Sequence, residues 1–164
     1  MATPCKDETV KQAFLFACFC GLRISDVRTL RWADIGKGTE GYYISKLMVK
    51  TRHVVTVPLS ENALSWMPAR GQARADNKVF ELPSFFSVNY RLKQWAREAG
   101  IDKPVTFHMS RHTFATTLLT MGVDLYTTSK LLGHQNIITT QVYAEIVNKK
   151  KVEAVNLLDQ IKPL

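Results

Sequence analysis

Apolar side chains recur along the chain with more than one period. From Thr9 to Leu22 they are nearly continuous, and the segment reads as a buried helix closed by Gly21. Ile24 to Leu30 reads as a second short helix with Ser25 as its N-cap, and Leu30 to Ile35 as a first short strand. A turn follows at Gly36 to Gly41. Tyr42 to Val49 and His53 to Leu59 are rich in β-branched and aromatic residues and are separated by a short basic link, which predicts a hairpin. Pro58 ends the second of these strands, Ser60 caps a helix running to Met67, and Pro68 to Lys78 is polar loop.

Helical spacing then returns. Val88, Leu92, Trp95 and Ala99 predict a helix over Ser87 to Ala99, closed by Gly100. Phe107, Phe114, Leu118 and Met121, with Ala115 and Leu119, make one apolar face over Phe107 to Met121, and Gly122 ends it. Asp124 to Leu132 is a further helix stopped by Gly133. A last helical region covers Asn136 to Ile161, with a candidate break at Asn148 to Lys151. The sum is an α+β domain, mostly α-helical with one small antiparallel β-sheet. Its 164 residues are one domain's worth of chain, with no internal repeat or linker.

Composition narrows the class. Hydrophobic residues at 46% and charged residues at 22% exclude disorder, collagen and coiled coil as descriptions of the whole. The longest uncharged apolar run, Gln12 to Leu22, is well short of the ~20 residues a helical membrane span needs. Lys6, Asp7 and Glu8 interrupt the N-terminus before that run, so no signal peptide is read there. Cys5, Cys18 and Cys20 offer no paired disulfide framework and suit a reducing compartment. Cys18 and Cys20 read as small core residues, and no second cysteine pair completes a zinc site.

The net charge is +8, and each half of the chain carries +4, so the excess is not a basic tail. A basic excess spread through a folded domain points to a polyanion, nucleic acid first. Its distribution sharpens the point. No acid lies between Glu40 and Glu61, a window holding Lys46, Lys50, Arg52 and His53. None lies between Asp102 and Asp124, which holds Lys103, His108, Arg111 and His112. None lies between Asp124 and Glu145, which holds Lys130, His134 and Tyr143. Carboxylates in these windows would repel a phosphate.

His108 and Arg111 stand at i and i+3 near a helix start, on one face and in the positive field of the N-terminus. His112, one turn beyond His108, also allows a metal reading. The zincin pattern, however, needs a Glu beside its first His, and Met109 stands there. His112 taken alone reads as a packed helix histidine bonded to backbone.

Five stretches in order carry a resemblance: Gly21-Leu22-Arg23-Ile24-Ser25-Asp26; Val49-Lys50-Thr51 with Val57-Pro58-Leu59; His108-Met109-Ser110-Arg111-His112-Thr113-Phe114-Ala115-Thr116; Leu131-Leu132-Gly133-His134; and Thr139-Thr140-Gln141-Val142-Tyr143. Together they resemble the catalytic domain of the tyrosine recombinase (integrase) family, in a style similar to integrases of Bacteroides-type mobile elements. The family often has Asp-Leu where this chain has Met109-Ser110, positions that carry no chemistry. The resemblance implies the catalytic-domain fold of those DNA breaking and rejoining enzymes. It also implies an active set of Arg23, Lys50, His108, Arg111, His134 and Tyr143, supported by Asp26. Lys46, Arg52 and His112 are further expected DNA contacts.

The resemblance also implies what those residues do. Tyr143 would attack a DNA phosphorus to give a 3′-phosphotyrosyl link and a free 5′-hydroxyl, with no cofactor and no metal. Arg23 and Arg111 would hold the non-bridging oxygens, because a guanidinium is planar and stays charged. His108 would accept the phenol proton and His134 would bond a phosphate oxygen. Lys50, with Lys46 as rival, would protonate the leaving 5′-oxygen. The implied partner is double-stranded DNA, with a homotetramer acting on two duplexes and no membrane. The catalytic domain alone could be monomeric. A tail bearing Val152, Val155, Leu158 and Ile161 would either dock on a neighbour or fold back on its own core. The helical core-binding domain that normally precedes the first motif is absent from these 164 residues, so residues 1–164 are expected to be a catalytic fragment that binds DNA more weakly than the whole protein. A type IB topoisomerase-like nicking-closing enzyme and a catalytically silent DNA-binding module of the same fold are the alternatives.

Overall fold

The computed structural model describes residues 3–143 and Asn156. Helix α1 (Glu8–Cys20) opens the fold, with the Asp7 side chain accepting from Val10 N at 3.0 Å. Such a cap contributes about 1 kcal/mol. Val10, Ala13, Phe16, Ala17 and Cys20 are buried. Gly21 closes α1 in the left-handed region, φ 70°, and a Cβ there would meet the Phe114 ring at 2.5 Å. Glycine alone takes that backbone shape at so close an approach without strain. Helix α2 (Ile24–Arg28) follows, with Arg23 rather than Ser25 at its N-cap position.

The sheet has three antiparallel strands in sequence order: β1 (Ile35–Gly38), β2 (Gly41–Leu47) and β3 (Val54–Pro58). Ile44 pairs with Ile35 on one side and Val57 on the other, and the hairpin expected from the sequence is β2–β3. The strand expected over Leu30 to Ile35 is instead a 3₁₀ turn at Trp32–Asp34, with β1 starting at Ile35. The cause is long-range. Trp32 N and Ala33 N donate to the carbonyls of Asn77 and Ala75, and Asp34 Oδ2 accepts from Arg31 N. The turn expected over Gly36 to Gly41 shrinks accordingly to Thr39–Glu40.

Helix α3 (Glu61–Ser65) is capped by Ser60, whose hydroxyl accepts from Ala63 N at 3.2 Å. Helix α4 (Phe85–Glu98) buries Val88, Leu92 and Trp95. Helices α5 (His108–Thr120) and α6 (Leu125–Leu131) follow, and a 3₁₀ segment spans Ile137–Tyr143. Met121, expected on the buried face of α5, is 77% exposed, because the helix ends at Thr120. The remainder of the helical region expected to run to Ile161, with the tail's Val152, Val155, Leu158 and Ile161, lies outside the described residues.

Two apolar clusters result. The larger joins α1, the sheet, α3 and α4 around Phe16, Leu30, Ile44, Phe80 and Leu92, and takes in Phe107. Burying each such side chain stabilises by about 1.5–3 kcal/mol. The smaller is Phe114, Ala115, Leu119, Leu132 and Tyr143. Helix α5 lies between them. Among the described residues, no helix is long and apolar enough to cross a membrane.

Candidate active site

A cleft of about 440 Å³ opens where the α1–α2 junction, the β2–β3 loop and the N-terminus of α5 meet. Arg23, Ser25, Lys50, Asn89, His108 and Arg111 line it. Two of the three acid-free stretches of sequence thus reach one place, and four of the expected side chains, Arg23, Lys50, His108 and Arg111, face one space.

Arg111 is 3% exposed and held from two sides. Its Nη1 donates to the Gly21 carbonyl at 2.7 Å and its Nη2 to the Leu132 carbonyl at 2.5 Å. The same glycine that caps α1 therefore fixes this guanidinium. Burial first, then the neighbouring Arg23 charge, pull the Arg111 pKa down to about 9, against the opposing influence of Tyr143, Asp26 and Cys20. Arg111 is still charged at neutral pH.

Arg23 is arranged differently. Its Nη1 is buried and has no hydrogen-bond partner among the described residues. Desolvation lowers its pKa, with Asp26 acting the other way. An unmatched donor of this kind costs about 1–3 kcal/mol or more when charged, and it can take an acceptor from outside the described residues.

Asp26, fully buried, accepts from Val49 N at 2.7 Å through Oδ1. That bond ties the α2 helix to the loop carrying Lys50. The loop closes through Met48 N to the His53 carbonyl and Arg52 N to the Met48 carbonyl, with Arg52 at φ 57°. Lys50 and Arg52 are left exposed at the tip. On the far side, Gln135 Nε2 donates to the Thr51 carbonyl at 3.2 Å.

Lys46 is corrected by the structure. It is 7% exposed, and its Nζ donates to the Thr29 carbonyl at 2.8 Å and to Asp34 Oδ2 at 3.0 Å. An ammonium held in an internal ion pair cannot reach a ligand in the cleft, so it is neither a DNA contact nor a rival to Lys50.

His134 follows Gly133, whose φ of 63° and contact with Val55 again suit only glycine. Its Nδ1 is 2.8 Å from the Thr140 hydroxyl, which is fully buried. Burial, then the charges of Arg111, Arg23 and Lys50, pull the His134 pKa down to about 4, so the ring is neutral at pH 7. The same causes, with His112 added, lower His108.

Tyr143 is 8% exposed, its ring part of the smaller cluster. Burial raises its pKa while Arg111 lowers it. Its hydroxyl lies 2.7 Å from His112 Nδ1 rather than on His108, the expected proton acceptor. His112, expected among the DNA contacts, is therefore engaged with the phenol. The His108 and His112 rings meet edge-on at 4.6 Å.

Three polar positions escaped the sequence reading. Thr140 orients His134, Gln135 joins two site loops, and Asn89 Oδ1 accepts from Phe107 N at 2.9 Å, fixing the start of α5. Only Thr140 left a trace, in the Thr139-Thr140 pair of the last motif.

The model of the phage integrase family matches residues 1–150. The tyrosine recombinase XerD of Proteus mirabilis is 33% identical over 92% of this chain and 53% of its own. A tyrosine recombinase of Pseudothermotoga lettingae is 33% identical over 87% of this chain and 51% of its own. The chain spans about half the length of these curated relatives. Among solved structures, XerH recombinase bound to its difH substrate matches with a TM-score of 0.67 at 20% identity, covering 83% of this chain and 42% of that one. The catalytic domain of bacteriophage HP1 integrase matches at 0.66 and 23%, covering 87% and 77%. These likenesses carry the fold.

Proposed function

The chain belongs to the phage integrase family, and from that premise we propose that it is the catalytic domain of a site-specific recombinase that cuts and rejoins double-stranded DNA. The observation that carries the reading is the convergence of Arg23, Lys50, His108 and Arg111 on one cleft, with a buried guanidinium nitrogen of Arg23 lacking a partner among the described residues.

The scissile phosphate occupies that cleft. Arg111, its fork already aimed by two carbonyls, and Arg23, whose Nη1 awaits an acceptor, hold the non-bridging oxygens. Both stay charged as negative charge gathers in the transition state. Neutral His134 adds a hydrogen bond. With Nδ1 accepting from the Thr140 hydroxyl, Nε2–H is the donor left for a phosphate oxygen. The Tyr143 phenol attacks phosphorus, the 5′-oxygen departs with a proton from Lys50, and a 3′-phosphotyrosyl link remains. A 5′-hydroxyl of a partner strand then reverses the step, so the bond energy is conserved. Asp26 positions the Lys50 loop through Val49 N. Arg52, beside Lys50, contacts the DNA backbone. The core-binding domain belongs to the whole protein, which acts as a homotetramer on two duplexes in a reducing bacterial cytoplasm.

The test is covalent trapping. The protein is mixed, in chelator, with nicked duplexes whose sequence is randomised around the nick, and the products are run on a denaturing gel. A protein–DNA adduct that Tyr143→Phe abolishes supports the reading. Binding without any adduct would favour a catalytically silent DNA-binding module.

A further inference from the structure

We infer that His112 is a catalytic residue of this site: its Nδ1 aims the Tyr143 hydroxyl and takes its proton as the phenol attacks. The inference rests on Tyr143 being the nucleophile. Tyr143 Oη lies 2.7 Å from His112 Nδ1, within direct proton-transfer distance, and the two rings stand 5.7 Å apart at 67°. His108, which lines the cleft, touches the His112 ring edge-on. His112 follows Arg111 on α5, so one helix turn carries both a phosphate-holding guanidinium and the acceptor for the attacking group.

The chemistry requires such an acceptor. Burial holds the phenol above its ordinary pKa, so the protonated form is the resting one. In the inferred role that hydroxyl donates to Nδ1, which places the imidazole proton on Nε2. During attack the O–H bond breaks and its proton joins the Nδ1 lone pair, giving an imidazolium. The Tyr143 Oη–phosphorus bond forms and the phosphorus–O5′ bond breaks. The electron pair leaves on O5′, which takes its proton from Lys50. On rejoining, the imidazolium returns its proton to Tyr143 Oη. Proton acceptor and proton donor thus sit at opposite ends of the in-line displacement.

The experiment measures single-turnover adduct formation by the full-length protein on a nicked duplex recovered from the trapping pool. Two forms of the duplex are used, with oxygen or with sulfur as the bridging 5′ atom. A thiolate leaves without a proton, so sulfur restores Lys50→Ala and leaves a defect at the nucleophile untouched. His112→Phe is expected to slow the adduct at least about 100-fold on both duplexes with DNA affinity unchanged. His112→Gln, which keeps an acceptor without a base, stays slow as well. A wild-type rate in His112→Phe beside an inert Tyr143→Phe overturns the inference and leaves the nucleophile standing. Rescue of His112→Phe by sulfur also overturns it. An adduct formed by Tyr143→Phe instead removes the reading beneath it. Nitrogen-15 spectra of the imidazoles give a second measurement. Tyr143→Phe should move the His112 Nδ1 resonance, and an unmoved resonance contradicts the contact.

Discussion

The two apolar clusters divide the site between them unequally. Arg23, Asp26 and the Lys50 loop stand on elements rooted in the larger cluster, whose members Leu22, Val27, Ile44 and Met48 are all but fully buried. His134 and Tyr143 stand on the smaller one, and Tyr143 is itself a member. On the proposed reading, the elements that carry Arg23 and Asp26 to the phosphate are fixed by deep packing. The phenol that on this reading would bond to phosphorus and later be released is held by a few neighbours. Small clusters open at lower free energy than the main core, so the half of the site that changes its bonding is the half with less holding it. Arg111 joins the halves, because its carbonyl partners, Gly21 and Leu132, come one from each side.

The largest effect that breaks this division comes at the two lysines of the hairpin. Lys50→Ala should slow cleavage by about 10²–10⁴ while leaving stability unchanged, since the side chain is exposed. Lys46→Ala should do the reverse. It strands Asp34 and the Thr29 carbonyl, lowering stability by about 1–3 kcal/mol with little change in rate. Denaturant melts beside single-turnover gels separate the two.

The arginines come next. Arg111→Ala and Arg23→Ala should each slow cleavage by about 10²–10³, the cost of one preorganised anion donor. Only Arg111→Ala should also destabilise, by about 1–3 kcal/mol, because two carbonyls lose their donor. Arg23→Ala removes an unmatched buried nitrogen and should melt at or slightly above wild type. Equal stability losses in both variants would break the comparison.

Gly21→Ala strikes the joint. The new Cβ is strained at φ 70° and meets the Phe114 ring at 2.5 Å, which should cost about 1–3 kcal/mol. As the Gly21 carbonyl moves, Arg111 loses its aim, so the rate should fall along with stability.

The smallest effect is in pH. The folded-state pKa of His134, about 4, lies below its ordinary 6.5, so the unfolded chain binds more protons between those values. Stability therefore falls as pH drops through that window, and His108 contributes in the same direction. His134→Asn should flatten the slope of the urea midpoint between pH 6.5 and 4, and an unchanged slope would place the ring in a solvated setting.

Much of this was legible in the sequence, for physical reasons. Helical period located α4 and α5, a nearly continuous apolar run located α1, and the Gly133 stop located α6. The β-branched runs located the hairpin, and the motif residues Arg23, Lys50, His108 and Arg111 do share a cleft. The misses are long-range. Trp32–Asp34 coils because of carbonyls more than forty residues away, which no local window reports. Strand alternation already set Lys46 on the inward face with Ile44 and Met48, yet its partner Asp34 appears only once β1 lies beside β2. His112 was recognisable as a neighbour of His108. That Tyr143 reaches it depends on how the Ile137–Tyr143 turn settles against α6.

The most direct measurement is the address of the covalent bond. The trapped adduct, digested with nuclease and trypsin, is sequenced by mass spectrometry. The account predicts a single 3′-phosphonucleotide on Tyr143, in the peptide spanning residues 131–149. A nucleotide on any other side chain, or an adduct that forms at full rate when both Arg23 and Arg111 are alanine, would contradict it.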